Sequence, residues 1–422
     1  MRADTAKIDA IESRLAVQSP GGLDVDICIV GAGPVGGTLA CLLAGMGIST
    51  AIIDRAPLPR MEHPDFDGRA YAIAASGQKL MADSGLWDGL PEKPCPIHDI
   101  RVTDGKVGRP ASSLFLHFDH REAGSEPFGW MVEARSLRVA LNARMHALPG
   151  LHLFAPAEAS VERRQDGAVV RVAGGPEISC RLVVAAEGRM SSLRSQANIP
   201  ITRLPYGQTG MVGAIAHELP HDNTALEHFL PAGPFAQLPL EGNADHPHIS
   251  AYVWTERDRD AARLIALDDE RFGAELGRRL GDHLGAIKVI GRRWSYPLSA
   301  MFAHRYYATR LALVGDAAHG VHPIAGQGLN LGFRDVACLA GLIGEAVGSS
   351  RDPGSVGLLT RYQRARRPDN MMMLAGMDAL DRLFSNDIPP IRLARDLGIA
   401  AVHRIGPLKR LFMRQAMGVL TG

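Results

Sequence analysis

The chain has 422 residues, enough for two domains or for one large domain with a sizeable insertion. Its 46% of hydrophobic and 22% of charged residues are typical of a soluble globular protein, and the net charge of +1 gives no reason to expect nucleic acid as a partner. Five scattered cysteines form no C-x-x-C pair, which argues for a reducing compartment and against a disulfide framework. His319 and His322 lack an apparent third ligand, so we expect no metal.

The two ends of the chain differ from the rest. Residues 1–23 mix charged and small residues without a continuous apolar stretch, so we expect an N-terminal tail and not a secretory signal. Residues 388–422 contain six basic residues and one acidic residue, which predicts a basic helical region. This region is either a solvated surface helix or a surface that contacts an anionic membrane or a partner protein. The expected location is cytoplasmic, with peripheral attachment to the inner face of the cytoplasmic membrane as the alternative.

The first structured unit reads as strand, glycine turn, helix and strand. A short apolar strand at 26–30 leads into Gly31-Ala32-Gly33-Pro34-Val35-Gly36, a G-x-G-x-x-G motif that precedes a helical stretch. The first glycine permits a tight turn, the second lets a pyrophosphate approach the backbone, and the third allows close helix packing. Asp54 ends the next strand, where a carboxylate can bind a ribose hydroxyl, and Arg55 follows it. This unit predicts a dinucleotide site for either FAD or NAD.

A second glycine-rich element favours FAD. An apolar strand from Leu311 ends in Gly315-Asp316, where the aspartate can hold a ribityl hydroxyl of a flavin. The segment Pro323–Asn330 then precedes a helix. Its glycines leave no side chain between the backbone N–H groups and a planar ring, and the helix N-terminus favours the negative charge of reduced flavin. An NAD-dependent dehydrogenase has no need of this element. The loop residues assigned to the flavin ring are Pro323, Gly326, Gln327 and Gly328, followed by Leu329 and Asn330.

A strand near residue 182 leads into Glu187-Gly188, which taken alone is only an acidic turn. Together with the two glycine motifs, however, it resembles the three conserved motifs of the class A flavoprotein hydroxylases, typified by para-hydroxybenzoate hydroxylase. Within that class the chain most resembles the ubiquinone-biosynthesis hydroxylases, over nearly all residues after Leu23. The segments that carry this closer resemblance are Asp67–Ala74, Gly85–Trp87, Tyr206–Gln208, Gly233–Leu240 and Ala416–Gly418.

The resemblance implies an α/β fold with a Rossmann-like FAD-binding domain, an inserted substrate domain on an antiparallel or mixed β-sheet, and C-terminal helices. Alternating apolar segments between about residues 200 and 297 are consistent with that insertion. The predicted division assigns 24–100, 131–199 and 298–387 to the FAD-binding domain and 101–130 and 200–297 to the substrate-binding domain.

Residue roles also follow from the resemblance. It implies that Arg69 lies near the flavin and helps to position its mobile ring, and that Asp316 binds the ribityl chain. Two positions depart from the family pattern. Glu187 stands where the family usually has Asp. The longer side chain keeps the negative charge, so the departure concerns only how pyrophosphate or nicotinamide fits beside it. Asp54 stands where the family usually has Glu, and both residues are competent ribose acceptors.

The implied activity is hydroxylation of a polyprenyl phenol in ubiquinone biosynthesis. NAD(P)H, a transient partner, reduces FAD, and O₂ then forms a C4a-hydroperoxide that attacks the electron-rich ring. The sequence assigns no acid or base, because His217, Tyr206 or a water molecule could each assist the phenol. Other ubiquinone-biosynthesis proteins and a membrane surface are further expected partners. The alternatives are a hydroxylase of another phenol, an isoprenoid reductase and a non-catalytic subunit of a quinone-biosynthesis assembly.

Overall fold

The computed structural model describes residues 22–58, 66–108, 115–122, 124–322 and 326–384. Over these residues the chain forms two large β-sheets and a small one, with helices packed around them. The strands are β1 (Leu23–Val30), β2 (Thr50–Ile53), β3 (Ala70–Ala74), β4 (Cys95–Ile97), β5 (Asp99–Asp104), β6 (Leu116–Asp119), β7 (Gly129–Glu133), β8 (Leu151–Phe154), β9 (Ala159–Arg163), β10 (Ala168–Val172), β11 (Glu177–Ala185), β12 (Ile201–His217), β13 (Thr224–Leu230), β14 (Gly233–Leu240), β15 (Ile249–Arg257), β16 (Ile287–Ala303), β17 (Tyr307–Ala308), β18 (Leu311–Leu313) and β19 (His319–Gly320).

The α-helices lie between these strands and after the last of them, and they are more concentrated in the C-terminal half of the chain. They are α1 (Pro34–Gly45), α2 (Ala75–Asp83), α3 (Ala134–Ala147), α4 (Ser192–Gln196), α5 (Asp258–Ile265), α6 (Asp269–Leu280), α7 (Gln327–Gly348) and α8 (Val356–Phe384). Short 3₁₀ turns occupy Trp87–Gly89, His120–Glu122 and Gly315–Ala317.

The first sheet is the nucleotide-binding layer. Its strand order is β17-β18-β11-β1-β2-β8, and the five strands from β18 to β8 run parallel. Parallel strands are covered by helices on their faces, and they therefore read as continuous apolar runs. Ile27 and Ile29 of β1 are accordingly fully buried, and α1 packs against α3 and α7. This arrangement places the carboxyl ends of β1, β2, β11 and β18 at one edge of the sheet.

The second sheet has the order β19-β16-β12-β15-β14-β13-β5-β6. Its pairs are antiparallel except for β13 and β5, which run parallel, so the sheet is mixed. Helices α5 and α6 cover one face, with Tyr252, Trp254 and Phe272 in the core between them. The small sheet, in which β7 lies between β3 and β4, packs near β14.

The predicted fold class is confirmed, and the strands and helices around the motifs fall where the sequence placed them. The stretch 101–130, which the prediction assigns to the substrate-binding domain, contributes β6 and most of β5 to the second sheet. The proposed domain division stays a prediction, and its limit at residue 298 falls inside the continuous strand β16. Of the predicted tail at 1–23, residues 1–21 lie outside the described residues, whereas Leu23 already belongs to β1. The basic region at 388–422 lies outside the described residues entirely.

In the part of the chain that the structure describes, no helix combines the length and apolar character needed to cross a membrane.

Candidate active site

A cavity of about 990 Å³ lies between the first sheet and the second. It is lined by the glycine loop after β1, the end of β2, the loop after β11 and the start of α7. One face of the second sheet closes the other side. The volume is at the upper end of the range for small-molecule sites, about 300–1,000 Å³. The three sequence motifs therefore meet around a single space.

The loop after β1 approaches the end of β11 so closely that two of its glycines have no room for a side chain. Gly31 has a φ of +104°, and a Cβ there would lie 2.4 Å from the backbone oxygen of Ala186. A Cβ at Gly36 would lie 2.0 Å from the backbone oxygen of Gly31. A Cβ at Gly33, by contrast, would meet no atom within 4 Å, and this residue lines the cavity. Close packing therefore requires glycine at Gly31 and Gly36, whereas Gly33 leaves open space for a ligand.

Helix α1 begins at Pro34, directly after Gly33, and both Pro34 and Val35 line the cavity. The first N–H groups of a helix have no partner within the helix, and the helix dipole adds partial positive charge there. The glycine loop and the start of α1 therefore form an anion site of the kind that holds a pyrophosphate.

Asp54 makes a contact that the sequence did not predict. Its Oδ2 accepts a hydrogen bond from the Ala32 N–H at 2.6 Å, and its Oδ1 accepts one from the Ala56 N–H at 2.7 Å. The carboxylate thus fixes the glycine loop, while Asp54 and Arg55 both line the cavity. Because a carboxylate can accept about four hydrogen bonds, the ribose contact predicted for Asp54 remains compatible with these two.

Glu187 uses its carboxylate to cap α4. Its Oε2 accepts hydrogen bonds from the Ser191 hydroxyl at 2.5 Å and the Leu193 N–H at 3.3 Å, and its Oε1 accepts one from the Ser192 hydroxyl at 2.7 Å. A negative charge is favourable at a helix N-terminus. Gly188, with a φ of +82°, turns the chain back, and both residues line the cavity. The Glu187 carboxylate therefore holds this loop against the start of α4.

Arg189 joins this loop to the Gly315-Asp316 motif. Its Nε donates to Asp316 Oδ2 at 3.3 Å, and its Nη1 donates to the Ser299 backbone oxygen at 3.1 Å. Asp316 also lines the cavity and is about half exposed. Its exposed carboxylate is open to a hydroxyl group of a ligand, as the resemblance implied.

A buried carboxylate, Asp335 on α7, holds this motif from behind. Its Oδ2 accepts a hydrogen bond from the Gly315 N–H at 3.1 Å and lies 2.6 Å from His319 Nε2. Its Oδ1 accepts hydrogen bonds from Arg366 Nε at 2.9 Å and Asn370 Nδ2 at 3.2 Å. Burial opposes the ionisation of Asp335, but His319 and Arg366 together hold its pKa below the usual range. Sequence reasoning missed this group because its partners come from distant segments.

The start of α7 faces the cavity. Gly326 precedes the helix with a φ of +61°, in the left-handed region that glycine adopts without strain. A Cβ at Gly328 would meet no atom within 4 Å, and Gly326, Gly328 and Leu329 line the cavity. The helix N-terminus and its open glycine therefore present backbone N–H groups toward the space, as the sequence predicted for a flavin ring.

Asn330 supports the same turn from the protein side. Its Oδ1 accepts a hydrogen bond from the Ala74 N–H at 2.9 Å, and its Nδ2 donates to the Ala72 backbone oxygen at 2.9 Å. These bonds tie α7 to β3. Gln327 is buried at the first position of α7. Pro323, which was also assigned to the flavin loop, lies outside the described residues.

Arg69 lies at the rim of the cavity beside an aromatic side chain. Its guanidinium carbon is 4.3 Å from the ring centroid of Trp294, and its Nη2 donates to Asp67 Oδ2 at 2.6 Å. Arg69 and Trp294 both line the cavity. Stacking on Trp294 and pairing with Asp67 restrict this long side chain, so it can position a ligand at the rim.

The face of the second sheet that closes the cavity contains a cross-strand row of five neighbouring residues, which we name the cavity row. Strand register pairs Glu227 with Ala236, Ala236 with Val253, Val253 with Val212, and Val212 with Trp294. All five line the cavity. The Glu227 carboxyl is surrounded by protein yet open to this space, and burial raises its pKa to about 7. Sequence reasoning missed Glu227, because its strand, TALEHFL, does not alternate between polar and apolar residues.

Neither protein side chain considered as a base from the sequence lines the cavity. His217 is buried, its Nδ1 lies 2.7 Å from the Leu219 backbone oxygen, and its Nε2 lies 2.9 Å from the Ser250 hydroxyl. Burial lowers the pKa of His217, and because both ring nitrogens contact protein groups away from the cavity, it is a structural residue. Tyr206 packs edge-on against His322, with ring centroids 5.0 Å apart.

Comparison with known proteins agrees with this geometry. A family model described as an FAD binding domain matches residues 24–375. The ubiquinone hydroxylase UbiL of Rhodospirillum rubrum is 52% identical over 94% of this chain and 90% of its own length. The chain belongs to the FAD-dependent hydroxylases of the ubiquinone-biosynthesis family. The 3-demethoxyubiquinol 3-hydroxylase of Escherichia coli, at 34% identity over 93% of this chain and 98% of its own length, is a further similar protein.

Solved structures share the fold. The p-nitrophenol 4-monooxygenase PnpA from Pseudomonas putida superimposes with a TM-score of 0.74 at 15% identity, over 94% of this chain and 98% of its own. PqsL from Pseudomonas aeruginosa, a probable FAD-dependent monooxygenase, gives 0.72 at 23% identity, over 90% of this chain and all of its own. At these identities the likeness concerns the architecture alone.

The residues present fit FAD. Gly33 and Gly328 leave open the two places where a side chain would obstruct a pyrophosphate and a planar ring. The α1 N-terminus supplies positive potential, and Asp316 supplies an exposed acceptor between them. The predicted cofactor is thus confirmed, and the enzyme is an FAD-dependent monooxygenase.

The contrast between Gly33 and Gly36 gives a first prediction. Gly33→Ala should leave the melting temperature of the FAD-free protein unchanged, because its Cβ meets no protein atom. It should weaken FAD binding by at least about tenfold, because the Cβ enters the space of the pyrophosphate. Gly36→Ala should instead destabilise the FAD-free protein itself. Calorimetry and flavin-fluorescence titration measure the two effects, and equal FAD affinity in Gly33→Ala would contradict the placement of the pyrophosphate.

The buried Asp335 gives a second prediction. Asp335→Asn removes one of the two carboxylates that pair with the buried Arg366, which keeps Asp369 at 2.8 Å, so the free energy of unfolding should fall by about 1–3 kcal/mol. Glu345→Gln is the matched control, because Glu345 pairs with Arg351 and Arg361 on the exposed surface and its loss should change the stability little. Denaturant unfolding compares them, and similar stabilities for the two variants would show that the Asp335 cluster is not a structural support.

Proposed function

We propose that this monooxygenase hydroxylates the aromatic ring of a polyprenyl phenol intermediate of ubiquinone biosynthesis, with NAD(P)H as transient reductant and O₂ as oxidant. The observation that carries the proposal is the shared cavity, in which the FAD-binding loops face the apolar wall of the second sheet. The names of the similar proteins, a ubiquinone hydroxylase and a 3-demethoxyubiquinol 3-hydroxylase, support the substrate class.

When bound, FAD would supply the chemistry that takes electrons from NAD(P)H and activates O₂ for insertion into the ring. The protein would hold the parts of the cofactor in place. The glycine loop and the start of α1 would bind the pyrophosphate, Asp316 would accept a hydrogen bond from the ribityl chain, and the flavin ring would be held by the start of α7. Its N–H groups and dipole favour the negative charge of the reduced flavin.

The second sheet supplies the substrate side. Ala236, Leu238, Ala251 and Val253 present small or apolar side chains to the cavity, which suits an aromatic ring and excludes water from it. Exclusion of water matters because activated oxygen in contact with solvent is lost as hydrogen peroxide. Arg69, held at the rim by Trp294 and Asp67, is proposed to position the flavin ring during the cycle.

The proposal extends to the membrane. A polyprenyl tail is insoluble in water, so the enzyme must meet its substrate at a lipid surface or within an assembly of biosynthetic enzymes. Leu380 and Leu383 are 42% and 40% exposed in the last turns of α8, directly before the C-terminal segment with its basic residues. Apolar residues beside basic residues suit the surface of an anionic membrane. These residues support the proposal that the enzyme attaches peripherally to the membrane.

Product analysis with isotopically labelled dioxygen tests the function. The purified FAD-loaded enzyme, NADH or NADPH and a short-chain prenyl phenol should yield a product with one labelled ring oxygen. The expected ratio of product to NAD(P)H consumed is close to one, because the apolar wall of the cavity keeps water away from the activated oxygen. A reduced prenyl chain without label would indicate an isoprenoid reductase, and stable flavin binding with no turnover on any phenol would indicate a non-catalytic assembly subunit.

A further inference from the structure

Five carboxylates line the cavity in the part of the chain that the structure describes, and four of them belong to the FAD-binding side. They are Asp54, Glu158, Glu187 and Asp316 on the first sheet and its loops, and Glu227 on the second sheet. Asp54 and Glu187 bind backbone N–H groups, Asp316 pairs with Arg189, and Glu158 is exposed. Glu227 is therefore the one carboxylate on the wall that faces the substrate.

Glu227 has an unusual setting within that wall. It forms no hydrogen bond or ion pair with any residue that the structure describes, although protein surrounds its carboxyl group. Its neighbours in the sheet are Ala236 in β14 and Val102 in β5, which offer no polar side chain. A buried carboxyl without a partner is costly to the fold, and such groups are concentrated at functional sites.

We propose that the Glu227 carboxylate accepts the phenolic proton of the substrate ring and returns a proton to the same oxygen after hydroxylation. This inference rests on the proposed function and names a catalytic residue for it. The remaining four members of the cavity row are apolar or aromatic, so Glu227 is the acceptor that this row offers to a phenolic hydroxyl, and the nearby Ser295 and Tyr296 offer hydroxyl groups that are far weaker bases than a carboxylate.

Glu227 takes part in two proton transfers during the hydroxylation. As the phenolic O–H bond breaks, the proton moves to Glu227, and the ring gains the electron density that attack on activated oxygen requires. A carbon–oxygen bond forms, and the ring becomes a dienone that carries the new hydroxyl group. Loss of the ring hydrogen as a proton and return of the proton from Glu227 to the carbonyl oxygen restore the aromatic ring. The second oxygen atom of O₂ leaves as water, with electrons from NAD(P)H.

The charged state of Glu227 follows from its surroundings. Burial raises its pKa to about 7, much nearer the pKa of a phenol, about 10, than an ordinary carboxyl at about 4.3. On β5, Asp104 lies on the same face of the sheet as Glu227, whereas Asp99 and Arg101 of β5 and His228 of β13 alternate to the opposite face. Cys95 on β4 and Asp381 on α8 are further titratable groups around β13. Asp381 is paired with His322 at 3.8 Å, and the Cys95 thiol contacts Asn223. The base form of Glu227 is therefore populated above neutral pH.

The pH dependence of turnover tests the role. In the wild-type enzyme, kcat/KM should rise with pH through about 7 as Glu227 ionises. Glu227→Gln should lower kcat/KM by about 100-fold and remove this rise, since an amide cannot accept the proton. Glu227→Asp should keep the rise at a reduced rate. Glu218→Gln, at an exposed carboxylate just after β12, is the control and should keep the wild-type profile. A wild-type profile in Glu227→Gln would overturn the proposal.

A binding comparison provides a second readout that needs no turnover. Glu227→Leu removes the acceptor, and the O-methyl ether of the substrate removes the phenolic proton. Above neutral pH, Glu227→Leu should weaken binding of the phenol by at least about tenfold but leave binding of the ether unchanged. Tryptophan fluorescence can report binding, because Trp294 lines the cavity. Equal losses for phenol and ether would mean that Glu227 only shapes the cavity, and would overturn the proposal.

Thermal melts of the FAD-free protein show whether the variants fold and whether Glu227 is buried as described. A carboxyl whose pKa is raised on folding makes the folded state lose stability as the pH rises from about 4.5 to about 7. Glu227→Gln should therefore have a higher melting temperature than the wild type at alkaline pH and a similar one at acid pH.

If the wild-type enzyme binds the phenol but inserts no oxygen, the proposed function fails while the binding comparison still reports on Glu227. If wild type hydroxylates and the variants match it, this inference alone fails.

Discussion

The close contact between the glycine loop after β1 and the end of β11 is the constraint on which the rest of the site depends. Only residues without a Cβ at Gly31 and Gly36 allow it. The contact brings Glu187 and Arg189 beside the start of α1, and Arg189 then reaches Asp316 at the end of β18. Three segments far apart in sequence thereby surround one elongated space. The buried Asp335 fixes the last of them by binding the Gly315 N–H together with two other segments.

The two walls of the cavity have different chemical characters, and the reaction uses this difference. The FAD-binding wall is polar and presents backbone N–H groups, helix N-termini and the carboxylates of Asp54, Glu187 and Asp316. The substrate wall is apolar over most of the cavity row, so electrostatic interactions there are little screened by water. A single carboxyl in such a wall has a large effect on a nearby phenol. The same low polarity that raises the pKa of Glu227 also protects activated oxygen from solvent.

The sequence predicted those features whose physical cause is local. The strand, glycine turn and helix around Gly31, and the Gly315-Asp316 turn, are contained in short segments, and the structure places them as expected. The features that were missed depend on pairing between distant segments. Glu227 reaches the cavity only because the register of β13 with β14 turns it toward that face, and a shift by one residue would present His228 instead. The bonds of Asp54 and Asp335 to backbone N–H groups likewise follow from tertiary packing.

The visible absorption of the FAD-loaded enzyme during anaerobic addition of NAD(P)H, with and without a prenyl phenol, tests the central claim most directly. If the cavity holds flavin and substrate face to face, the phenol should alter the surroundings of the flavin and of Arg69. The oxidised flavin bands should then bleach faster when the phenol is present. Identical bleaching with and without phenol would contradict the shared cavity, and a protein that binds no flavin at all would contradict the whole account.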